Sequence, residues 1–343
     1  MGAGESRERR TARARRSALE FRRVARPAET RVECAVIRVV DDIRATSIEH
    51  THHVLTIGSF DGVHVGHRAI LEAVVRRAKA IGGAAAVLTL RPHPREFFSP
   101  GHAPSLLTHD AKKLELFDAA GIGAVFVLRF NEDVAALEPE DFVREIVVDR
   151  CRARAVVVGH DFRFGRGARG DFDLLRGLAP KHGFDVEQVP PLLMDGERVS
   201  STLIRERLLL GDLEKAEAFL GRPYSLVGRV VPGRHIGSTI GFPTANVRPH
   251  HSAIPAQGVY VCEAKLGAAA YPAAVNIGVA PTIRNEDLTI EAFLLDFHGA
   301  IEGEEIELVF RKRLRSEIKF PTVHDLIAQI RADVDAVRMF FGR

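Results

Sequence analysis

At 343 residues the chain is long enough to bury two full cores, and no apolar run approaches the roughly 20 residues that a membrane-spanning helix needs. Its net charge of +3 hides an asymmetry: residues 1–31 hold ten Arg and four Glu and carry +6, so the remainder carries −3 and is not built as a general binder of polyanions. Three cysteines, Cys34, Cys151 and Cys262, form neither a metal spacing nor a disulfide framework, which fits a reducing cytoplasm.

The Arg-rich head, residues 1–31, has no apolar period and lacks the apolar centre, about 7–15 residues long, of a secretory signal; it is expected to be disordered. A solvated tail or an upstream choice of start codon is the favoured explanation, with a nucleic-acid contact or a transit peptide as alternatives. Residues 32–40 then read as a short extended piece and residues 41–52 as a polar loop.

Residues 53–57 are an apolar run that reads as a buried strand. They lead through Gly58, Ser59, Phe60, Asp61, Gly62, Val63, His64, Val65, Gly66 and His67 into a helix marked by Ile70, Leu71, Val74, Val75 and Ala78. A strand that turns sharply through glycines into a helix presents free backbone N–H groups and the positive end of the helix dipole, the makings of a phosphate site. Gly66 lets a ligand approach the backbone, and two imidazoles can donate hydrogen bonds to phosphate oxygens. Two plainer readings compete: ordinary surface histidines, or a metal pair, for which no third ligand stands at a recognisable spacing. Neither a P-loop nor a dinucleotide fingerprint is present.

Further apolar strands follow at residues 85–90, 124–128, 155–159 and 184–189, separated by helices at 109–120, 139–150 and 171–182. Short apolar strands alternating with helices predict a parallel sheet covered on both faces, with ligands at the carboxyl ends of the strands near a switch in strand order. Three other strand ends carry chemistry. Two prolines hold His93 between them. Asp161 could bind a ribose or a base edge, flanked by Phe162 and Phe164, which core packing explains equally well. Ser200, Ser201 and Thr202, between Arg198 and Arg205, suit a second phosphate-binding helix start beyond what N-capping alone needs.

Near residue 221 the pattern changes. Strand-like pieces at residues 224–231, 258–265, 269–277, 289–296 and 306–313, without long helices between them, predict a small antiparallel barrel or sandwich, closed by an amphipathic helix over residues 322–341.

These motifs, taken together, resemble the prokaryotic bifunctional riboflavin kinase/FAD synthetase family over about residues 54–320. The first half resembles its FMN adenylyltransferase module through Ile57–His67, Pro92–Glu96, Gly159–Gly165 and Ser200–Arg205. The second half resembles its riboflavin kinase module through Gly241–Asn246, Val275–Gly278, Pro281–Thr282, Glu291–Phe297 and Leu314–Phe320. Beyond the head at 1–31, which composition alone marks as disordered, the resemblance implies a Rossmann-like nucleotidyltransferase domain at 32–220 and a β-barrel kinase domain with a C-terminal helix at 221–343. It implies that riboflavin and ATP give FMN, and that FMN and a second ATP give FAD and pyrophosphate.

Carried over by matching position, His64 and His67 are catalytic in adenylyl transfer, and Glu291 is the general base for the ribityl hydroxyl. Gly58, Phe60, Gly66, Arg198, Ser201, Thr202 and Arg205 would bind the phosphates of one ATP. Gly233, Gly241, Thr244 and Asn246 would bind the other, with Mg²⁺ held by Thr244 and Asn246. Asp161, Asn276, Arg315 and Glu317 would face flavin. The expected partners are small molecules, not membrane or nucleic acid, in the cytoplasm; no oligomeric state is implied. The chain departs from the family's pattern at Ser59, where Asn is usual, and at Ser238 for Arg, Phe293 for His and Ile301–Gly303 for Leu-Tyr-Gly. Three of these fall in the kinase half, so the alternative is an FAD synthetase whose kinase module is weak or only binds flavin. A nucleic-acid-associated protein and a metal-dependent hydrolase are more distant alternatives.

Overall fold

Six parallel strands carry the first half of the chain in the computed structural model, which describes residues 37–343 apart from 47, 49–51, 100–103, 234–235, 252 and 282–285. The expectations for the head and for Cys34 lie outside the described residues. The strands are β1 (Arg38–Val40), β2 (His53–Ile57), β3 (Ala84–Arg91), β4 (Ala124–Arg129), β5 (Ala153–Gly159) and β6 (Asp185–Val189), in the spatial order β1-β4-β3-β2-β5-β6. Successive side chains on each strand point to opposite faces, and on the central strands β2, β3, β4 and β5 both faces are buried. Leu55, Leu88, Phe126 and Val156 pack on one side with Phe142, Ile146 and Leu175. Val54, Val87, Val125 and Val157 pack on the other with Leu71, Val74 and Phe117.

The helices fall where the apolar period placed them, with caps that explain their ends. Helix α1 (Val65–Ile81) starts on the side chain of His64, which accepts from His67 N, and stops at left-handed Gly82. Two short helices escape periodicity because each is five residues long. In α2 (Pro94–Phe98) Pro94 opens the first turn and His93 Nδ1 accepts from Arg95 N at 3.1 Å. In α4 (Glu132–Ala136) Asn131 caps Val134 N; α3 (Asp110–Ala119) lies between them. The helix expected at 139–150 begins as α5 (Pro139–Phe142) and then widens to π-winding over Val143–Arg150. Helix α6 (Phe172–His182) is capped by Asp171, and α7 (Ser201–Leu210) by Ser200. A small hairpin, β7 (Leu193–Met194) and β8 (Glu197–Arg198), precedes α7.

After α8 (Leu213–Leu220) the chain forms a closed antiparallel barrel. Its strands are β9 (Ser225–Val231), β10 (Ala245–Pro249), β11 (Gly258–Leu266), β12 (Ala269–Pro281), β13 (Glu286–Leu294) and β14 (Glu305–Arg315), closing as β10-β13-β12-β11-β14-β9. Closure selects the barrel over the sandwich. Strand β10 was not legible because Val247 is its one buried residue. Inward-facing Tyr260, Cys262, Val275, Ile277, Ile290 and Ala292 share one apolar cluster with Ile204, Leu208, Phe219 and Leu220 of α7 and α8. Outward-facing Val261 and Leu295 instead pack with Val334 and Val337 of the closing helix, which spans Val323–Phe340. Alternation along each strand therefore gives the barrel an inner core and a separate outer pocket wall.

Contacts between sheet half and barrel include the segment before α3 and the first turn of α3 itself. Ala253 N donates to Leu106 O at 3.0 Å, His251 Nδ1 bonds Leu106 O at 3.1 Å, and Lys112 Nζ meets Glu307 at 3.0 Å. No helix among the described residues is long and apolar enough to cross a membrane.

Candidate active sites

Strands β3 and β4 extend the sheet on one side of β2, and β5 and β6 on the other. The chain therefore reverses its direction of travel between β2 and β5, and the crevice beyond their carboxyl ends is the natural ligand site of such a sheet. A cleft of about 340 Å³ lies there, lined by Ser59, Asp61, His64, Gly66, His67, His93, Asp161, Arg198, Ser201, Thr202 and Arg205 among others. Of the residues expected to act there, Gly58 and Phe60 do not line it. Phe60 is buried, and its ring contacts Phe117 and His67 edge-on.

The turn into α1 is strained. Phe60, Gly62 and Val63 all have positive φ, at 48°, 88° and 40°, a region that a β-branched Val disfavours strongly. It persists because what surrounds it is over-determined. The Asp61 carboxylate accepts from Leu107 N at 3.0 Å, Thr108 N at 3.2 Å and Arg205 Nη2 at 2.5 Å. The Asp61 carbonyl accepts from Ser201 Oγ at 2.8 Å. Beneath the turn, half-buried Arg222 donates to Gly62 O at 2.7 Å and Val63 O at 3.3 Å. Burial, with Arg68 beside it, pulls the Arg222 pKa down to about 10, so it stays charged. Asp61 and Arg222 were not singled out from the sequence. The available signal was a carboxylate inside an otherwise apolar and glycine-rich turn.

His64 and His67 stack face to face, ring centroids 3.6 Å apart and planes 16° apart. His64 Nδ1 accepts from His67 N at 3.2 Å, so the proton of the neutral ring sits on Nε2. His67 Nδ1 is buried with no hydrogen-bond partner among the described residues. Burial, followed by the Arg222 charge, lowers the His64 pKa to about 4. Burial, and then His64, holds His67 well below the ordinary value. Both rings are neutral at pH 7 in the unliganded protein and can meet an anion as hydrogen-bond donors rather than as cations. Across the cleft, Arg198 Nη1 lies 2.9 Å from His160 Nε2 and 3.8 Å from Asp161 Oδ2. Arg198 and Asp161 are both largely solvent-facing and free to reorient toward a ligand.

These histidines make stability pH-dependent. His251, where the barrel meets Leu106, is also lowered to about 4, chiefly by burial. A histidine lowered in the fold from 6.5 to about 4 leaves the unfolded chain holding more protons between those values. Stability is full above pH 6.5 and falls as pH drops toward 4, by on the order of 3 kcal/mol per histidine. Urea unfolding across this window should show a gentler fall for His64→Asn, which keeps an N-cap but does not titrate. An unchanged slope would rule the His64 contribution out.

The second pocket, of about 370 Å³, lies on the outside of the barrel under the closing helix. Thr244, Asn246, Asn276, Glu291, Arg315 and Glu317 line it together with Phe242, Phe293, Ile318, Phe320 and Ile330. The strand register explains the grouping. Asn246 on β10 is paired with Glu291 on β13, which is paired with Asn276 on β12. Three residues distant in sequence thus form one cross-strand row on the outer face. Missing side chains keep it tight: a Cβ on Gly233 would lie 1.9 Å from Asn246 Nδ2, and one on Gly278 1.9 Å from Glu317 Oε1. Phe242 and Phe293 meet edge-on at 5.5 Å, an apolar corner at the position where the sequence lacks a histidine.

Arg315 is held by a partner that the sequence did not reveal. Its Nε and Nη2 bond the Asp333 carboxylate at 3.1 and 2.7 Å, and Gln329 Nε2 donates to the same group at 2.9 Å. Of the remaining expected residues, Gly241 stands at a positive-φ turn and does not line the pocket. Part of the loop between Gly233 and Gly241 lies outside the described residues, as do the side chain of Ser238 and residue 282. Among the described residues no group of three or more His, Cys, Asp or Glu is placed to hold a metal.

Two family models match the chain, FAD synthetase over residues 46–203 and riboflavin kinase over residues 220–341. A bifunctional riboflavin kinase/FMN adenylyltransferase of Escherichia coli (strain K12) is 39% identical over 290 residues, covering 84% of this chain and 93% of its own. The Bacillus subtilis (strain 168) protein of the same description is 34% identical over 314 residues, covering 87% and 98%. Among solved structures, a Streptococcus pneumoniae protein described as a macrolide-efflux protein superposes with a TM-score of 0.80 at 27% identity, covering 88% of this chain and 99% of its own. That description belongs to that protein alone.

Proposed function

The chain belongs to the bifunctional riboflavin kinase/FMN adenylyltransferase family, and from that premise we propose how its two pockets divide the work of making FMN and then FAD. We assign kinase chemistry to the barrel pocket and adenylyl transfer to the sheet cleft, with the division between modules at residues 220 and 221. The observation that carries the kinase assignment is the row of Asn246, Glu291 and Asn276 beside an apolar slot.

In the barrel pocket the flavin ring packs against Phe242, Phe320 and Ile330, and Asn276 and Glu317 hold its polar edge. Glu291 takes the proton of the ribityl hydroxyl as that oxygen attacks the terminal phosphorus of ATP; the bond to ADP breaks and FMN forms. Arg315, clamped by Asp333, positions this wall. Thr244 and Asn246 offer hard, neutral oxygens, and Asn246 is confined by the Gly233 backbone. That donor set fits Mg²⁺, which binds through few protein ligands and substrate phosphates. When bound, the ion supplies neutralisation of phosphate charge.

In the sheet cleft an FMN phosphate oxygen attacks the α-phosphorus of a second ATP, and pyrophosphate leaves. No covalent enzyme intermediate is required, so catalysis is positioning plus electrostatics. His64 Nε2–H and the His67 ring donate to the phosphates where charge develops. Thr202 and Arg198 add donors, and Asp161 holds the nucleotide or flavin. Ser201 and Arg205 also brace the strained turn through Asp61, so their contribution is partly to hold the two histidines in place.

The substrates are small molecules; neither a membrane nor nucleic acid is required, and we place the enzyme in the cytoplasm, where Cys151 and Cys262 stay free and buried. The test is purified protein with riboflavin, ATP and Mg²⁺, with flavins separated over time. Both FMN and FAD should appear, and a chelator should stop FMN formation. His67→Ala should lower FAD formation by about 10²–10³-fold, the cost of losing a transition-state donor, and leave FMN formation alone. FAD from supplied FMN, but no FMN from riboflavin, would favour the weak-kinase alternative.

A further inference from the structure

A third cavity belongs to neither pocket. It is a groove of about 740 Å³ between the sheet half and the barrel, within the 300–1,000 Å³ that small-molecule sites occupy. Its lining includes Arg205 and Leu209 of α7, Pro255, Leu288 of β13, and Arg313 and Glu317. Two of these residues are shared. Arg205 also lines the sheet cleft, and Glu317 also lines the barrel pocket. The groove therefore shares one wall residue with each active site.

The groove's chemistry is matched to one kind of molecule. Leu209 is 70% exposed and Leu288 47%, large apolar side chains left in water on a wall between two catalytic pockets. Two guanidiniums stand beside them. Arg313 packs against Gly211 at the end of α7, with Nη2 on Gln257 O at 2.8 Å and on Ser316 Oγ at 3.2 Å. Arg205 uses Nε on Ser105 O and Nη2 on Asp61. A guanidinium has five N–H donors, so each retains capacity for a phosphate. A planar ring joined to a phosphate satisfies both features at once, whereas riboflavin would leave the cations unused; of the ring phosphates in the two reactions, FMN is the one that leaves one pocket and enters the other.

We infer that this groove is a third flavin site, which takes FMN released past Glu317 and delivers it past Arg205 without release to bulk solvent. The inference rests on the two-reaction reading above. It adds that the two modules exchange their shared intermediate along one chain.

Isotope dilution tests it. Labelled riboflavin, ATP and Mg²⁺ are supplied with unlabelled FMN at about 0.1 mM, against an effective local concentration of order 1 mM for a retained intermediate. Early FAD should then be labelled over unlabelled by roughly ten to one, while the bulk FMN pool is still almost wholly unlabelled. The double variant Leu209→Asp/Leu288→Asp places anions on exposed positions of the groove wall. It should bring FAD to the same specific label as bulk FMN while both half-reactions, each measured alone, keep their rates. Equal labelling in the wild-type enzyme with both half-reactions intact overturns the groove and leaves the function standing. Excess labelling that survives the double variant overturns it as well. Excess labelling that falls on diluting the protein assigns the transfer to neighbouring copies and overturns the single-chain route. Absence of either half-reaction from the wild-type enzyme sinks both readings.

Discussion

Replacing Glu291 with Gln should lower FMN formation from riboflavin by about 10²–10⁴-fold, the usual worth of a positioned general base, and leave FAD formation from supplied FMN at its wild-type rate. The substitution keeps the size of the side chain and its place between Asn246 and Asn276 in the cross-strand row. It removes the carboxylate charge and with it the ability to take a proton. Glu291 stands on the outer face of β13, outside the inner core formed by Ile290 and Ala292, so folding should be unaffected. Separation of products by chromatography reads both reactions in one sample. FMN formation kept within a few-fold of wild type would remove Glu291 from the role of base. Loss of both reactions together would contradict the assignment of one chemistry to each pocket.

How far such residues could be read from the sequence depended on how locally they act. The His64–His67 turn was legible because the strand, the turn and α1 are contiguous. The alternation of strands and helices gave the parallel sheet for the same reason. Thr244, Asn246 and Glu291 were found only through a family resemblance, because barrel closure brings them together and no local period marks it. Their companion Asp333 was out of reach. It sits on a helix read correctly as amphipathic, and it is buried only because Arg315 reaches it across the pocket. Arg222 was hidden likewise: an Arg beside a Gly and a Pro reads as a linker residue, yet its guanidinium supports the turn made more than 150 residues earlier. For Arg205 the sequence suggested a ligand contact, and the structure adds a bond to Asp61 that the ligand role alone does not require.

That bond yields the second large expected effect. Asp61→Ala should destabilise the protein by about 3 kcal/mol, the lower end for breaking a buried ion pair, since the Arg205 side chain keeps 17% of its exposure. It also removes the acceptor for Leu107 N and Thr108 N, frees the strained turn at Phe60–Val63, and should cost FAD formation with it. Arg205→Leu alone leaves the Asp61 carboxylate buried without its cation. The double variant Asp61→Ala/Arg205→Leu strands neither charge, so its loss of stability should be smaller than the sum of the two single losses by about 1–3 kcal/mol. Stability and activity should then part company. Urea unfolding should report the recovery, and FMN formation should persist in all three variants, because the barrel pocket contains neither residue. FAD formation should stay low in the double variant, because the guanidinium we propose for the phosphate grip is gone whether or not the turn is repaired. Recovery of FAD formation in step with stability would assign Arg205 to bracing the turn alone and take it out of the phosphate grip.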